Sequence, residues 1–177
     1  MELEKLFAAR QSTREYGSRQ IDDETLKRIC RLATYAPSAV NAQPYKMYAV
    51  SGEKAKKFAV NVQPYGRNVW ADECAAFIVI QQLAPVEIRR GDNVISNAEF
   101  IANDVGILSA YIALAAESEG VQSCIIGLRD EKGIAEFLNL PQGTRFPLII
   151  ALGYKADGYP LREKQRRDFN ETYTLIK

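Results

Sequence analysis

Apolar residues recur along this chain with two periods, near 3.6 and near 2, and the switches between them mark out the elements. Leu3, Leu6 and Phe7 share one face of a short helix over residues 2–9. A second helix, capped by Asp22 or Asp23, aligns Leu26, Ile29, Cys30 and Ala33 and is stopped by Pro37, because the residue before a proline avoids helical backbone. Residues 37–44, bracketed by Pro37 and Pro44, must be irregular. Residues 45–50 read as a strand, 53–61 as a short helix and 63–68 as a loop. Residues 75–81 are apolar on both faces and so belong in the middle of a sheet. Residues 84–96 fit neither period, and Arg89–Asn93 reads as a turn or exposed loop. The longest helical signal covers 97–119, with one stripe at Ile101, Val105, Leu108, Ile112 and Ala115 and another at Phe100, Ile107, Tyr111 and Leu114. A helix apolar on nearly all sides must be covered on nearly all sides, and a subunit interface is the natural cover. Gly120 terminates it. A strand over 121–126 closed by Gly127, a helix over 130–138 stopped by Pro141, and an apolar strand over 146–152 complete the body. Residues 172–176 could add a last strand.

Composition narrows the chemistry. With 177 residues and no linker, repeat or low-complexity stretch, a single domain over 1–177 is the simplest account. Lys+Arg 23 against Asp+Glu 22 leaves a net charge of +1, so no whole-molecule field calls for nucleic acid or an anionic membrane. The apolar stretches fall short of the ~18 residues of a membrane span. The N-terminus has acidic residues and no long apolar run, unlike a signal peptide, and a cytoplasmic setting is expected. Histidine is absent, which excludes Ser-His-Asp and Cys-His catalysis and the commonest metal ligand. Cys30, Cys74 and Cys124 are odd in number and scattered, so they read as core packing, with neither a disulfide framework nor a metal site expected. If the protein is an enzyme, its hard chemistry belongs to something it binds.

Four constellations could do that binding. In an extended Arg10-x-Ser12-x-Arg14 the alternate residues point the same way, giving two guanidiniums and a hydroxyl suited to a phosphate. The plainer alternative is a solvated basic loop. Lys164-x-Arg166, flanked by Arg162 and Arg167, repeats the pattern at the other end of the chain, where a basic tail is the plainer alternative. The proline-braced loop with Ser38, Ala39, Asn41 and Gln43 offers free backbone groups and paired amide donors and acceptors to a flat heterocycle; it could equally be a tight connection. Ile125-Ile126-Gly127 ends a strand, where glycine permits close approach of a ligand to the backbone.

In this order, the stretches R-Q-S-T-R-E-Y, A-P-S-A-V-N-A-Q-P-Y, N-D-V-G-I-L-S-A-Y through S-C-I-I-G, L-N-L-P, L-I-I-A-L-G-Y and a basic tail with K-x-R resemble the FMN-dependent nitroreductase family from residue 10 to about residue 167. The resemblance implies an α+β fold, a mostly antiparallel central sheet flanked by helices, in an intertwined homodimer whose C-terminal tails (about 160–177) can be exchanged. It implies FMN at the subunit seam, with the phosphate held by Arg10, Ser12, Lys164 and Arg166 beside Gln11. Arg14 would lie near the pyrimidine edge. Pro37, Ser38, Ala39 and Asn41, with Gln43 as a neighbour, would reach the flavin from the other subunit, and the backbone of Ile126 and Gly127 would face the hydride-accepting nitrogen. Some members carry glutamate where Ile126 stands, so only the backbone role carries over. The chain is short for the family, leaving Tyr65, Arg67 and Trp70, or residues 84–97, as candidates to cover the substrate.

The implied activity is that of an oxidoreductase. NADH or NADPH would serve as a transient donor, and a small nitroaromatic, quinone or similar conjugated molecule as acceptor, with the redox step on the flavin and no catalytic side chain or metal. The same fold with another flavin reaction, such as dehydrogenation or dehalogenation, and a non-catalytic flavin-binding protein are the alternatives.

Overall fold

The computed structural model describes residues 2–177, with Arg90 described by its backbone alone. Its centre is a four-stranded sheet built from β1 (Tyr45–Ser51), β2 (Ala76–Gln82), β6 (Leu148–Gly153) and β5 (Gln122–Ile126), in the order β1-β2-β6-β5. Every ladder is antiparallel, with Ile78 opposite Ala49 on one side and Ile150 on the other. The doubly apolar β2 is internal, as its pattern requires. Alternate residues serve opposite faces. Ile78, Ile80, Ile150 and Leu152 pack under α2 (Asp23–Ala33) and α4 (Ile101–Ser118). Phe77, Val79, Ile149, Ala151, Cys124 and Ile126 pack under α3 (Glu53–Phe58), the short turns that follow it, and α5 (Glu131–Phe137).

Local chemistry explains most boundaries. Asp22 caps α2 by accepting the Thr25 N–H at 2.8 Å, and the Thr25 hydroxyl donates back to it. α2 ends at Ala33, four residues before Pro37. Gly120, at φ +72°, closes α4 in the left-handed conformation. α1 (Leu3–Ala9) forms where expected, but Leu3 and Phe7 remain exposed. The three cysteines are free, with Cys74 and Cys124 buried.

Several expectations are corrected. The helix expected over 53–61 stops at Phe58 and tightens into a 3-10 turn over Ala59–Val62. There the Asn61 side-chain amide donates to the Phe58 carbonyl, and the Asn61 backbone carbonyl accepts the Asp130 N–H. Residues 84–96 hold a two-stranded arm, β3 (Glu87–Arg90) and β4 (Asn93–Ser96), turning at Gly91 with φ +60°. Its root is clamped by buried Asn97, whose side-chain oxygen accepts the Val86 N–H at 2.6 Å. No strand forms over 172–176. The tail makes one turn, α6 (Phe169–Thr172), with Tyr173 stacked on Phe169, and then runs exposed, because a β-prone segment needs a partner strand and pairs with none among the described residues. Ala98–Ser118 is, by length and a mean hydropathy of 1.3, long and apolar enough to cross a membrane, which the reading of short apolar runs did not anticipate. Within this fold it is a core helix, packed on α2 and the sheet.

Candidate cofactor site

The outer edge of β5 is not left open. Ser12 bridges Ser123 in parallel fashion, and the Thr13 N–H donates to the Ser123 carbonyl at 3.0 Å. Residues 10–14 therefore run extended, and their burial alternates: Gln11 and Thr13 are buried, while Arg10 and Ser12 are half-buried and Arg14 is exposed. Tyr16 locks the segment down. Its hydroxyl donates to the Thr13 carbonyl at 2.9 Å, and its ring lies so close to Gly153 that a Cβ there would sit 2.6 Å from it.

The tail crosses this segment and is clasped to it by the side chains of Gln11, Arg162 and Lys164. The Gln11 amide donates to the Pro160 carbonyl at 2.9 Å and accepts the Arg162 N–H at 3.0 Å. Arg162 also donates to the Ser12 carbonyl, and the Lys164 Nζ to the Arg10 carbonyl at 2.7 Å. The two basic clusters thus meet. They line a cavity of about 630 Å³ that presents Arg10, Arg14, Arg162, Lys164 and Arg166 against the single carboxylate of Glu163, with Ser12 among them. Burial, and then the neighbouring Arg10 and Arg166, depress the Lys164 ammonium below its ordinary range. Beneath the cluster, burial pushes the Glu117 carboxyl up while Lys155, Lys164 and Arg10 pull it down. Crowded, mutually destabilising cations of this kind suit a dianion, which would offset their repulsion.

Gln11 lines the cavity with Arg10 and Ser12, and its side-chain amide also clasps the tail. Gln11→Ala, which removes the two part-buried hydrogen bonds to Pro160 and the Arg162 N–H, worth about 1 kcal/mol each, should loosen the tail to proteolysis near residue 160 before the body is cut, as limited digestion followed by mass spectrometry would record.

The strand-end pair lies further along β5. At ~3.3 Å per residue, β5 carries the chain ~10 Å from Ser123 to Ile126. Ile126 is buried and Gly127 exposed, and among the described residues nothing beyond its two chain neighbours lies within 4 Å of a Cβ built on Gly127. Its carbonyl is held by Arg129 at 2.5 Å, and that guanidinium also pairs with Glu131 at 2.8 Å. Open space above a fixed backbone turn fits a flat group approaching it.

The proline-braced loop does not line this cavity within one chain. It is folded on itself: the Ser38 hydroxyl accepts the Gln43 N–H at 2.9 Å, and the Gln43 amide reaches Asn41 at 3.3 Å. Val40, Asn41 and Gln43 have φ of 50°, 56° and 45°. For β-branched Val40 that left-handed backbone costs on the order of 1–2 kcal/mol. Pro37 is exposed, and Ser38 and Ala39 are half-buried.

The cover candidates divide. Tyr65 is 93 % exposed and Arg67 is exposed as well. Trp70 is half-buried against the second core layer, its ring 6.1 Å from that of Tyr16. None of the three lines the cation cavity. Sequence reasoning missed the clasping use of Gln11 and Arg162, the Arg129–Gly127 contact, and Asp104. Only Asp104 left a clear signal, a charge on the buried stripe between Ile101 and Leu108.

A helix-flanked antiparallel α+β chain with a cation-lined cavity formed where its two ends meet defines the class. Residues 7–154 match the nitroreductase family, and the chain belongs to it. A provisionally named NADH dehydrogenase/NAD(P)H nitroreductase of Archaeoglobus fulgidus is 28% identical over 159 residues, 86% of this chain and 85% of that protein. Among solved structures, a nitroreductase family protein from Clostridium novyi is 26% identical with a TM-score of 0.73, covering 89% of this chain and 87% of its own. An FMN-dependent nitroreductase from Mycobacterium smegmatis, solved with NADPH, shares the fold at a TM-score of 0.79 and 17% identity, covering 98% and 97% of the two chains.

Proposed function

We propose that this protein is an FMN-dependent oxidoreductase that takes hydride from NADH or NADPH and passes electrons to a nitroaromatic, quinone or similar conjugated acceptor. The observation that carries this reading is the cavity in which the two chain ends gather five cations around a serine hydroxyl. FMN supplies the redox chemistry when bound. Ser12, Arg10, Lys164 and Arg166 would hold its phosphate, the last three by charge-assisted bonds. Arg14, exposed at the cavity's edge, would place positive charge by the pyrimidine ring and favour the reduced, more negative form. The turn at Ile126 and Gly127, fixed by Arg129, would offer its backbone to the ring. The named activities of the relatives support this assignment.

The functional unit in this reading is a homodimer. Phe100, just before α4, and Ile107 and Tyr111 on it are exposed at 46%, 36% and 38%, and Leu3, Phe7, Leu175 and Ile176 are also uncovered. Gly106 adds a sharper observation. It lies mid-helix and exposed, and among the described residues nothing beyond its chain neighbours and its own helix backbone lies within 4 Å of an added Cβ. A glycine there costs the helix about 1 kcal/mol relative to alanine. Exposed Ala102 and Ala110 flank it one turn away on either side. Small residues at this spacing suit close approach of a second α4. The same pairing would bring the loop over Pro37, Ser38, Ala39, Asn41 and Gln43 to the partner's cofactor, and would give the tail a surface to lie on.

The purified protein, supplied with FMN, is expected to show bound-flavin absorbance that NADH or NADPH bleaches anaerobically and a nitroaromatic or quinone restores. A protein that retains no FMN after gel filtration would refute the cofactor assignment. Bound flavin that neither nucleotide reduces would remove the donor.

A further inference from the structure

We propose that Asp104 is the positioning residue that holds residues 38–43 in the shape they present to the flavin ring, an inference that rests on the cofactor reading above. Asp104 is 3% exposed on the inner stripe of α4, between Ile101 and Leu108. An unpaired buried carboxylate is costly, and no cation pairs with this one among the described residues. Its one hydrogen bond is to the loop: Oδ1 accepts the Ala39 N–H at 3.0 Å. Among the described residues this is the one hydrogen bond that reaches residues 38–43 from a distant element, since the others stay within the loop or join it to Tyr45.

The bond sits where the loop most needs it. Ala39 opens the 3-10 turn, and Val40 and Asn41 follow in left-handed backbone. On the far side of those two residues, the Ser38 hydroxyl ties down the N–H of left-handed Gln43. Strained backbone of this kind persists only where its surroundings impose it. A charged acceptor fixed in a packed helix supplies that constraint more firmly than a neutral or mobile one. The second carboxylate oxygen has no protein partner among the described residues, and neither does the buried hydroxyl of Tyr45, just past the loop. Burial, and then the Asp104 charge, raise the Tyr45 phenol, so the two groups sense each other beneath the loop. Asp104 thus links α4, which carries the proposed subunit face, to the segment proposed to cross into the partner's site.

The test compares Asp104→Ala, Asp104→Asn, and Asp104→Ala combined with Val40→Gly. In the cofactor-free protein, amide exchange at residues 39–43 should rise about tenfold in Asp104→Ala, the factor expected for loss of one charge-assisted bond, and much less in Asp104→Asn, which keeps an acceptor. In the FMN-loaded enzyme, Asp104→Ala should raise the KM for NADH or NADPH about tenfold with kcat less affected, and should alter the visible circular dichroism of the flavin. FMN affinity should stay within about threefold, because the phosphate is held elsewhere. Asp104→Asn should restore most of the KM. Val40→Gly should do so too in the Ala background, because glycine enters the left-handed region freely. Unchanged exchange and KM in Asp104→Ala would overturn the proposal. So would an equal loss in all three variants accompanied by a general fall in thermal stability, which would make Asp104 a core residue only. A wild-type protein that takes up no FMN would sink the cofactor reading, and the ring-facing role with it, while exchange at residues 39–43 would still decide whether Asp104 braces the loop.

Discussion

Lys164→Ala combined with Arg166→Ala is expected to weaken FMN binding about 100-fold, read as the Kd from quenching of FMN fluorescence. A charge-assisted hydrogen bond contributes about 1.5–3 kcal/mol, and each 1.4 kcal/mol is a factor of ten. Most of the loss should come from Lys164, which is half-buried and already held in place by the Arg10 carbonyl. Arg166 is exposed, so solvent screening reduces its share. Arg10→Ala should act in the same direction from the other end of the chain. The same variants should flatten the fall of FMN affinity with rising salt, because fewer cations remain to be screened. Wild-type retention of FMN by both the double variant and Arg10→Ala would show that this cavity does not hold the phosphate.

Gly106 yields the second large effect, and two substitutions there give opposite expectations for a lone chain and a paired one. In a lone chain Gly106→Ala has room, and should stabilise α4 by about 1 kcal/mol through helix propensity. In a pair whose helices cross at this position, the added methyl meets the partner and that gain is lost. Gly106→Leu should go further: overpacking costs about 1–3 kcal/mol at each of two symmetric contacts, so the dimer should weaken and its dissociation constant rise about 100-fold or more. Light scattering across a dilution series would report it. FMN should leave as the dimer separates, because the loop at 37–44 then has no partner site to complete. A Gly106→Leu protein that stays dimeric and yellow would place the interface elsewhere.

The elements were legible where a period ran long and a terminator was explicit. β2 declared itself central by being apolar on both faces, and Asp22 and Gly120 marked helix ends through capping and positive φ. The arm at 87–96 was not legible, since its strands are four residues each and pack on little besides one another, so no burial pattern is imprinted on them. The tail misled for a related reason: Thr172 to Ile176 favours extended backbone, but a strand is defined by its neighbour. At the site, parity along Arg10-x-Ser12-x-Arg14 was readable because an extended segment alternates faces. That Gln11, between them, would clasp the tail was not, because a glutamine on the buried side of such a segment looks the same whether it meets core, ligand or a distant stretch of chain.

The clasp has a consequence for the order in which the molecule assembles. Gln11 and Pro160 are 149 positions apart, and Arg10 and Lys164 are 154 apart. Contacts of such long range close nearly the whole polypeptide into one loop, and their entropic cost is recovered only once everything between them has collapsed. The cation-lined pocket should therefore be among the last parts to form during refolding and the first to open on warming, so that a phosphate bound there, as proposed, would act as a late-fitted rivet, raising the melting temperature chiefly by holding that final seam shut.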